Sequence, residues 1–91
     1  MLFAIIAHDP PGRSELRNRV RPAHQKYLEP FKQTGEMIYG GPFTDEAGNL
    51  IVVEMATQAD AEKFARNDPF MTEGVHDRFE VHPWRRAFPE G

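Results

Sequence analysis

The sequence predicts an α+β fold in the order β-α-β-β-α-β, with a four-stranded antiparallel sheet and both helices on one face. Short apolar runs bounded by turn residues begin at Leu2, Met37, Leu50 and Arg78. Stretches with helical apolar spacing separate the first run from the second and the third from the fourth. The second and third runs are joined only by a short turn, as in a hairpin. A chain of 91 residues has room for one domain, spanning 1–91.

Leu2 to His8 forms the first strand and ends at the breaker Asp9-Pro10-Pro11-Gly12. Both of its alternating sets are apolar, Leu2, Ala4 and Ile6 against Phe3, Ile5 and Ala7, as in a central strand. Ser14 offers a cap for the first helix. Leu16, Val20, Ala23, Tyr27 and Phe31 form its inner stripe, and Pro22 predicts a kink or restart. Pro30 and Gly35 bracket its far end. Met37 to Phe43 is a weak or edge strand because it contains Gly40-Gly41-Pro42. Asp45-Glu46-Ala47-Gly48-Asn49 is turn chemistry, and Leu50 to Met55 is the clearest strand. Thr57 caps a second helix with Ala61, Phe64 and Ala65 inward, ending at Asn67-Asp68-Pro69. Phe70 to Gly74 allows one more helical turn. Arg78 to Phe88 is an edge strand interrupted by Pro83, and Pro89-Glu90-Gly91 is expected to fray.

With both helices on one face, the other face of the sheet lies open. The first strand offers it only apolar side chains before His8, and the third adds Leu50 and Val52 beside Glu54. A domain this small buries only about 60–65% of its unfolded surface, so its core is thin. An apolar face of this size marks an interface, and a homodimer is expected, the alternative being that long loops or the tail cover the face.

Composition narrows the function. The net charge of -3, from 11 basic and 14 acidic residues, argues against nucleic acid as a partner. No apolar run approaches the roughly 20 residues of a membrane span, so no membrane is expected. The absence of cysteine excludes disulfides and thiolate chemistry and fits a cytoplasmic protein. His8, His76 and His82 are scattered without metal-ligand spacing, so no metal site is expected. No phosphate loop, flavin or haem motif is visible, and no cofactor is expected.

Arg17, Arg21, His24 and Leu28 form a second stripe beside the inner one on the first helix. His24 is thus expected at the border of core and surface, with two guanidinium groups nearby. Neighbouring positive charge favours the neutral imidazole a general base needs. An ordinary boundary histidine with two solvated arginines has the same spacing. Asp68 before Pro69 is either a turn aspartate or an acid that orients a histidine. Both helices pack on one face, so the topology permits His24 and Asp68 to meet. Gly40-Gly41-Pro42 either punctuates a strand or lets a ligand approach closely.

Several of these residues resemble the motifs of the YCII-related family. Arg21-Pro22-Ala23-His24 with Leu28 is similar to its first-helix motif, and Gly40-Gly41-Pro42 to its second-strand motif. Asn67-Asp68-Pro69-Phe70 followed by Gly74-Val75 resembles its Asp-Pro-aromatic motif. The closing strand with Trp84 and Phe88 fits as well. The resemblance implies a ferredoxin-like fold of the dimeric α/β barrel type, and a His-Asp dyad that falls on His24 and Asp68. One branch of the family is similar to enzymes that remove chloride from chlorinated hydroxyquinols. The compact hairpin around Asp45-Glu46-Ala47-Gly48 departs from longer members.

The expected function is therefore a cofactor-independent enzyme acting on a small organic molecule, phenolic or anionic. His24 is the general acid/base and Asp68 orients it. Arg17, Arg21, Gly41, Pro42 and Phe70 are the candidate substrate-binding residues, the arginines because guanidinium suits oxyanions. Lyase, hydrolase and isomerase chemistry all fit such a pair. The alternative is a non-catalytic ligand-binding or assembly module of the same fold.

Overall fold

A computed structural model describes residues 1–89. The elements are β1 (Leu2–His8), α1 (Ser14–Thr34), β2 (Met37–Pro42), β3 (Gly48–Glu54), α2 (Gln58–Asn67), α3 (Pro69–Thr72) and β4 (Arg78–Trp84). The strands form a four-stranded antiparallel sheet in the order β2-β3-β1-β4, the ferredoxin-like arrangement. β1 is central, as its two apolar sets imply. Of Pro89-Glu90-Gly91, expected to fray, residues 90 and 91 lie outside the described residues.

The register decides which side chains face the helices. Phe3, Ile5 and Ala7 of β1 lie opposite Val53, Ile51 and Asn49 of β3 and Pro83, Val81 and Phe79 of β4. This set forms the main core, with Phe3, Ile5, Ile51, Val53, Met55, Ala61, Phe64 and Ala65 buried and Tyr27, Leu28 and Phe31 packed on them. A smaller cluster of Val20, Phe70 and Val75, flanked by Leu16, lies beside it. The opposite set, Leu2, Ala4 and Ile6 with Leu50, Val52 and Trp84, points away from the helices. Tyr39 on β2 pairs with Val52 and joins this face. Leu50 is 40% exposed, Trp84 41% and Tyr39 64%.

Helix α1 departs from expectation in three ways. Its N-cap is Arg13 with no side-chain cap bond, and Ser14 is already helical. The helix also runs unbroken through Pro22 and Pro30. Each proline removes one backbone donor, and both lie on the exposed side, where water takes the carbonyl left over. Finally, Ala23 is exposed and His24 is buried. At roughly 100° per residue, Val20 to His24 is a turn of about 40°, while Val20 to Ala23 is about 60° the other way. The inward stripe thus runs Leu16, Val20, His24, Tyr27, Leu28 and Phe31, with His24 in place of Ala23. Gly35, at φ 80, closes the helix in the left-handed region with its N–H on the Lys32 carbonyl.

The edges behave as their prolines and glycines suggest. β2 carries a register shift between Met37 and Tyr39, and β4 holds Pro83 on the outer margin of the sheet. β4 stops at Trp84 instead of continuing to Phe88. Thr57 caps α2, accepting from the Asp60 N–H at 3.1 Å.

At the start of β3, Gly48 sits at φ 140 opposite His8. A Cβ there would lie 1.8 Å from the Ala7 carbonyl oxygen. Gly48→Ala is expected to cost more than about 2 kcal/mol in urea unfolding, because both backbone angle and space are denied. A loss under about 0.5 kcal/mol would contradict this account of the hairpin.

Candidate active site

The site begins with a break between two helices. Pro69 disfavours helical angles at Asp68, which adopts φ -62, ψ 130 and so ends α2 and caps α3. Its carboxylate turns back over the new helix. Asp68 Oδ1 accepts the Phe70 backbone N–H at 2.9 Å and a bond from His24 Nδ1 at 2.8 Å. His24 is 8% exposed and Asp68 4%. A carboxylate as acceptor requires Nδ1 of His24 to carry the proton, so in the neutral imidazole it is Nε2 that has the free lone pair. No group among the described residues bonds to that Nε2.

Phe70 supports the imidazole. The His24 and Phe70 rings stack with centroids 3.8 Å apart and planes 8° from parallel. The Arg17 guanidinium carbon lies 4.7 Å from the Phe70 ring centroid, and His76 meets that ring edge-on at 5.4 Å. Arg17 donates to Asp9 Oδ2 at 2.8 Å and to Asn49 Oδ1. The other Asp9 oxygen, Oδ1, is bonded to His76 Nδ1. The site therefore holds two buried His-Asp pairs, His24–Asp68 and His76–Asp9, both in contact with one phenyl ring or its arginine neighbour.

A cleft of about 240 Å³ opens above His24 and is lined also by Arg17, Arg21, Gly41, Pro42 and Phe70. Six of the seven residues singled out from sequence thus line one cleft and the seventh, Asp68, is bonded to His24, although their exposure differs. Arg21 is exposed and donates to Asn18 at 2.8 Å. Phe70, 1% exposed, is floor more than wall. Gly41 lies opposite Leu50 on the outward side of the sheet, where a Cβ would meet nothing within 4 Å, so it borders the cleft with its backbone. A wider depression of about 810 Å³ between the β1–α1 loop and the hairpin shares Arg17, Arg21 and Pro42 with the cleft.

Asp9, Asn49 and His76 were not among the sequence candidates. Asp9 and Asn49 read as turn residues, and His76 is 67 positions from its partner. One signal was present. Asn49 shares the inward parity of Ile51 and Val53, so a polar side chain there had to be buried. Among the described residues, no buried polar side-chain atom lacks a partner and no cluster of three or more His, Cys, Asp or Glu is arranged to hold a metal ion.

Burial, above all, pushes the His76 imidazole below its ordinary value of 6.5, against the raising effects of Asp9 and Asp68. His76 is thus neutral at pH 7 and donates its Nδ1–H to Asp9. Burial, then the Asp68 charge, raises the Tyr27 hydroxyl, which donates to the Phe64 carbonyl at 2.9 Å. Between pH 6.5 and the lowered folded value of His76, the unfolded chain binds the extra proton and the folded chain does not. Stability therefore falls as pH drops through that window. Thermal unfolding of wild type and His76→Asn at pH 7.5 and 5.5 should show a smaller acid loss in the variant. Equal losses would show that His76 does not carry this term.

Comparison with known proteins agrees with the fold. Residues 1–85 match the family model described as the YCII-related domain. The chain is 28% identical to Protein YciI of Escherichia coli O6:H1 over 98 aligned positions, covering 97% of this chain and 100% of that protein. Protein YciI of Shigella flexneri matches to the same extent. Among solved structures, 5-chloro-2-hydroxyhydroquinone dehydrochlorinase (TftG) from Burkholderia phenoliruptrix AC1100, in complex with 2,5-dihydroxybenzoquinone, superposes with a TM-score of 0.84. It is 30% identical, with 96% of each chain covered. With the matching order of elements and the motifs around His24, Gly41 and Asp68, these similarities show that the chain belongs to the YCII-related family.

Proposed function

We propose that this chain is a cofactor-independent enzyme that moves protons on a small, hydroxylated or anionic organic substrate. The observation that carries the proposal is the buried His24–Asp68 bond of 2.8 Å, which turns a free imidazole Nε2 toward a cleft holding Arg17 and Arg21. Asp68 holds the tautomer and stabilises the imidazolium that forms when Nε2 takes a proton. Arg17 receives an oxyanion on the substrate, Arg21 flanks it, and Gly41 and Pro42 form the opposite wall.

Loss of HCl from a chlorinated hydroxyquinol, the class named for the dehydrochlorinase relative, suits this arrangement. The base removes a hydroxyl proton, and the electron pair moves into the ring as a carbonyl forms. The imidazolium returns a proton to the carbon bearing chlorine. A second hydroxyl proton then leaves, and chloride departs with the pair from the carbon–chlorine bond. The net loss is one proton and one chloride, and the product is a hydroxyquinone. No external oxidant is needed, because the ring is oxidised as chloride is expelled.

The test is chloride release from 5-chloro-2-hydroxyhydroquinone, with titration of 2,5-dihydroxybenzoquinone as a binding probe. His24→Ala and Asp68→Asn are expected to lower the rate by about 10²–10⁴-fold, the usual range for general acid–base catalysis. Wild-type rates in both variants would remove the dyad. Binding of the quinone without turnover of any chlorinated hydroxyquinol would support a ligand-binding module instead.

We also propose that the chain is a single domain that works as a cytoplasmic homodimer, the open sheet face of each copy covering the other. Leu2, Ala4, Ile6, Tyr39, Leu50 and Trp84 supply the apolar surface, with His8, Glu80 and His82 at its polar side. Two equivalent sites would then face outward on the helical sides. Analytical ultracentrifugation at micromolar concentration should give a dimer, and Leu50→Glu should shift it to monomer. A wild-type monomer would remove this arrangement.

A further inference from the structure

We propose that His76 is a positioning residue, which acts through Asp9 to hold the Arg17 guanidinium in place as a preformed oxyanion receptor. His76 itself lines neither the cleft above His24 nor the depression beside it, whereas Arg17 lines both. An arginine side chain normally carries about 2 kcal/mol of rotamer entropy, which binding a ligand would have to overcome. Here that freedom is removed by the fold. One N–H of Arg17 goes to Asp9, one to Asn49, and the guanidinium lies over Phe70.

Asp9 can do this only if its own carboxylate cannot rotate. Its backbone N–H is fixed to the Ala47 carbonyl at 2.9 Å, and its second oxygen is fixed by His76. His76 is held in turn by its backbone N–H on the Phe70 carbonyl at 2.9 Å, and the next residue, Asp77, bonds to the His8 carbonyl at 3.0 Å. The chain of contacts runs His76, Asp9, Arg17. It leaves three of the five guanidinium N–H donors free of these two bonds. Donors held in advance of the ligand need no reorganisation as charge develops on an oxygen.

Arg17 as the receptor rests on the function proposed above, while the His76–Asp9–Arg17 coupling does not. The test separates the two. In nitrogen-15 NMR of the Arg17 side chain, wild type should show separate, slowly exchanging Nη signals. His76→Leu, which removes the donor, should merge them. His76→Asn, whose amide supplies a donor to Asp9, should restore the separation, a rescue that loss of packing alone would not give. The affinity for 2,5-dihydroxybenzoquinone should fall by about 10- to 100-fold in His76→Leu, the range for a lost charge-assisted hydrogen bond, and recover in His76→Asn. Averaged Arg17 signals in wild type, or signals unchanged in His76→Leu, would overturn the positioning role. A clear Arg17 response with no quinone binding to any form would keep the positioning role and count against the proposed function alone.

Discussion

The site depends on where the Asp68 carboxylate points. Pro69 forces Asp68 out of helical geometry, so α2 ends and α3 begins at one residue, and the side chain that caps α3 is delivered to the centre of the molecule. There one oxygen serves two donors, the Phe70 N–H and His24 Nδ1. The local bond fixes the short helix and the long-range bond ties that helix to α1. An α3 of four residues has little stability of its own, so its orientation comes from these two bonds and from Phe70 packing on Val20 and Val75. Moving the carboxylate would release the imidazole and the phenyl ring stacked on it together.

Phe70 converts this anchor into a larger unit. One ring touches both imidazoles and the Arg17 guanidinium, so apolar packing sets the spacing of three polar groups that carry no bond to one another. The hydrogen-bonded pairs then fix each group's rotation. Such a network is stable in a buried place only if its members are satisfied, and among the described residues no buried side-chain polar atom is left over. His24 Nε2, at the cleft, has no bonded partner among the described residues.

The sheet supplies the frame for this arrangement at a cost in exposure. Its inward face carries the core, and the end of β1 and the start of β3 bring Asp9 and Asn49 under Arg17. Its outward face keeps Leu50, Tyr39 and Trp84 in contact with water. Apolar residues are needed along both sides of a central strand only when both sides are to be covered. The same patterning that secures the site's frame thus leaves a second, apolar face exposed.

The amino-acid sequence alone determined the order of elements, the central place of β1, the hairpin and the break at Asp68-Pro69. These follow from periodicity of two and near 3.6, and from turn residues, all of which act within a few positions. His24, Asp68 and Gly41 were legible because they fall in local motifs, whereas Asn49 read as a turn residue although it shares the inward parity of Ile51 and Val53. Tertiary structure decided the rest. It carried α1 through Pro22 and rotated the helix so that His24, and not Ala23, faces the core. It also joined His76 to Asp9 across 67 positions, and Arg17 to both Asp9 and Asn49. Pairings of that kind leave no mark in spacing, because they depend on where the sheet register and the helix packing place two distant backbones.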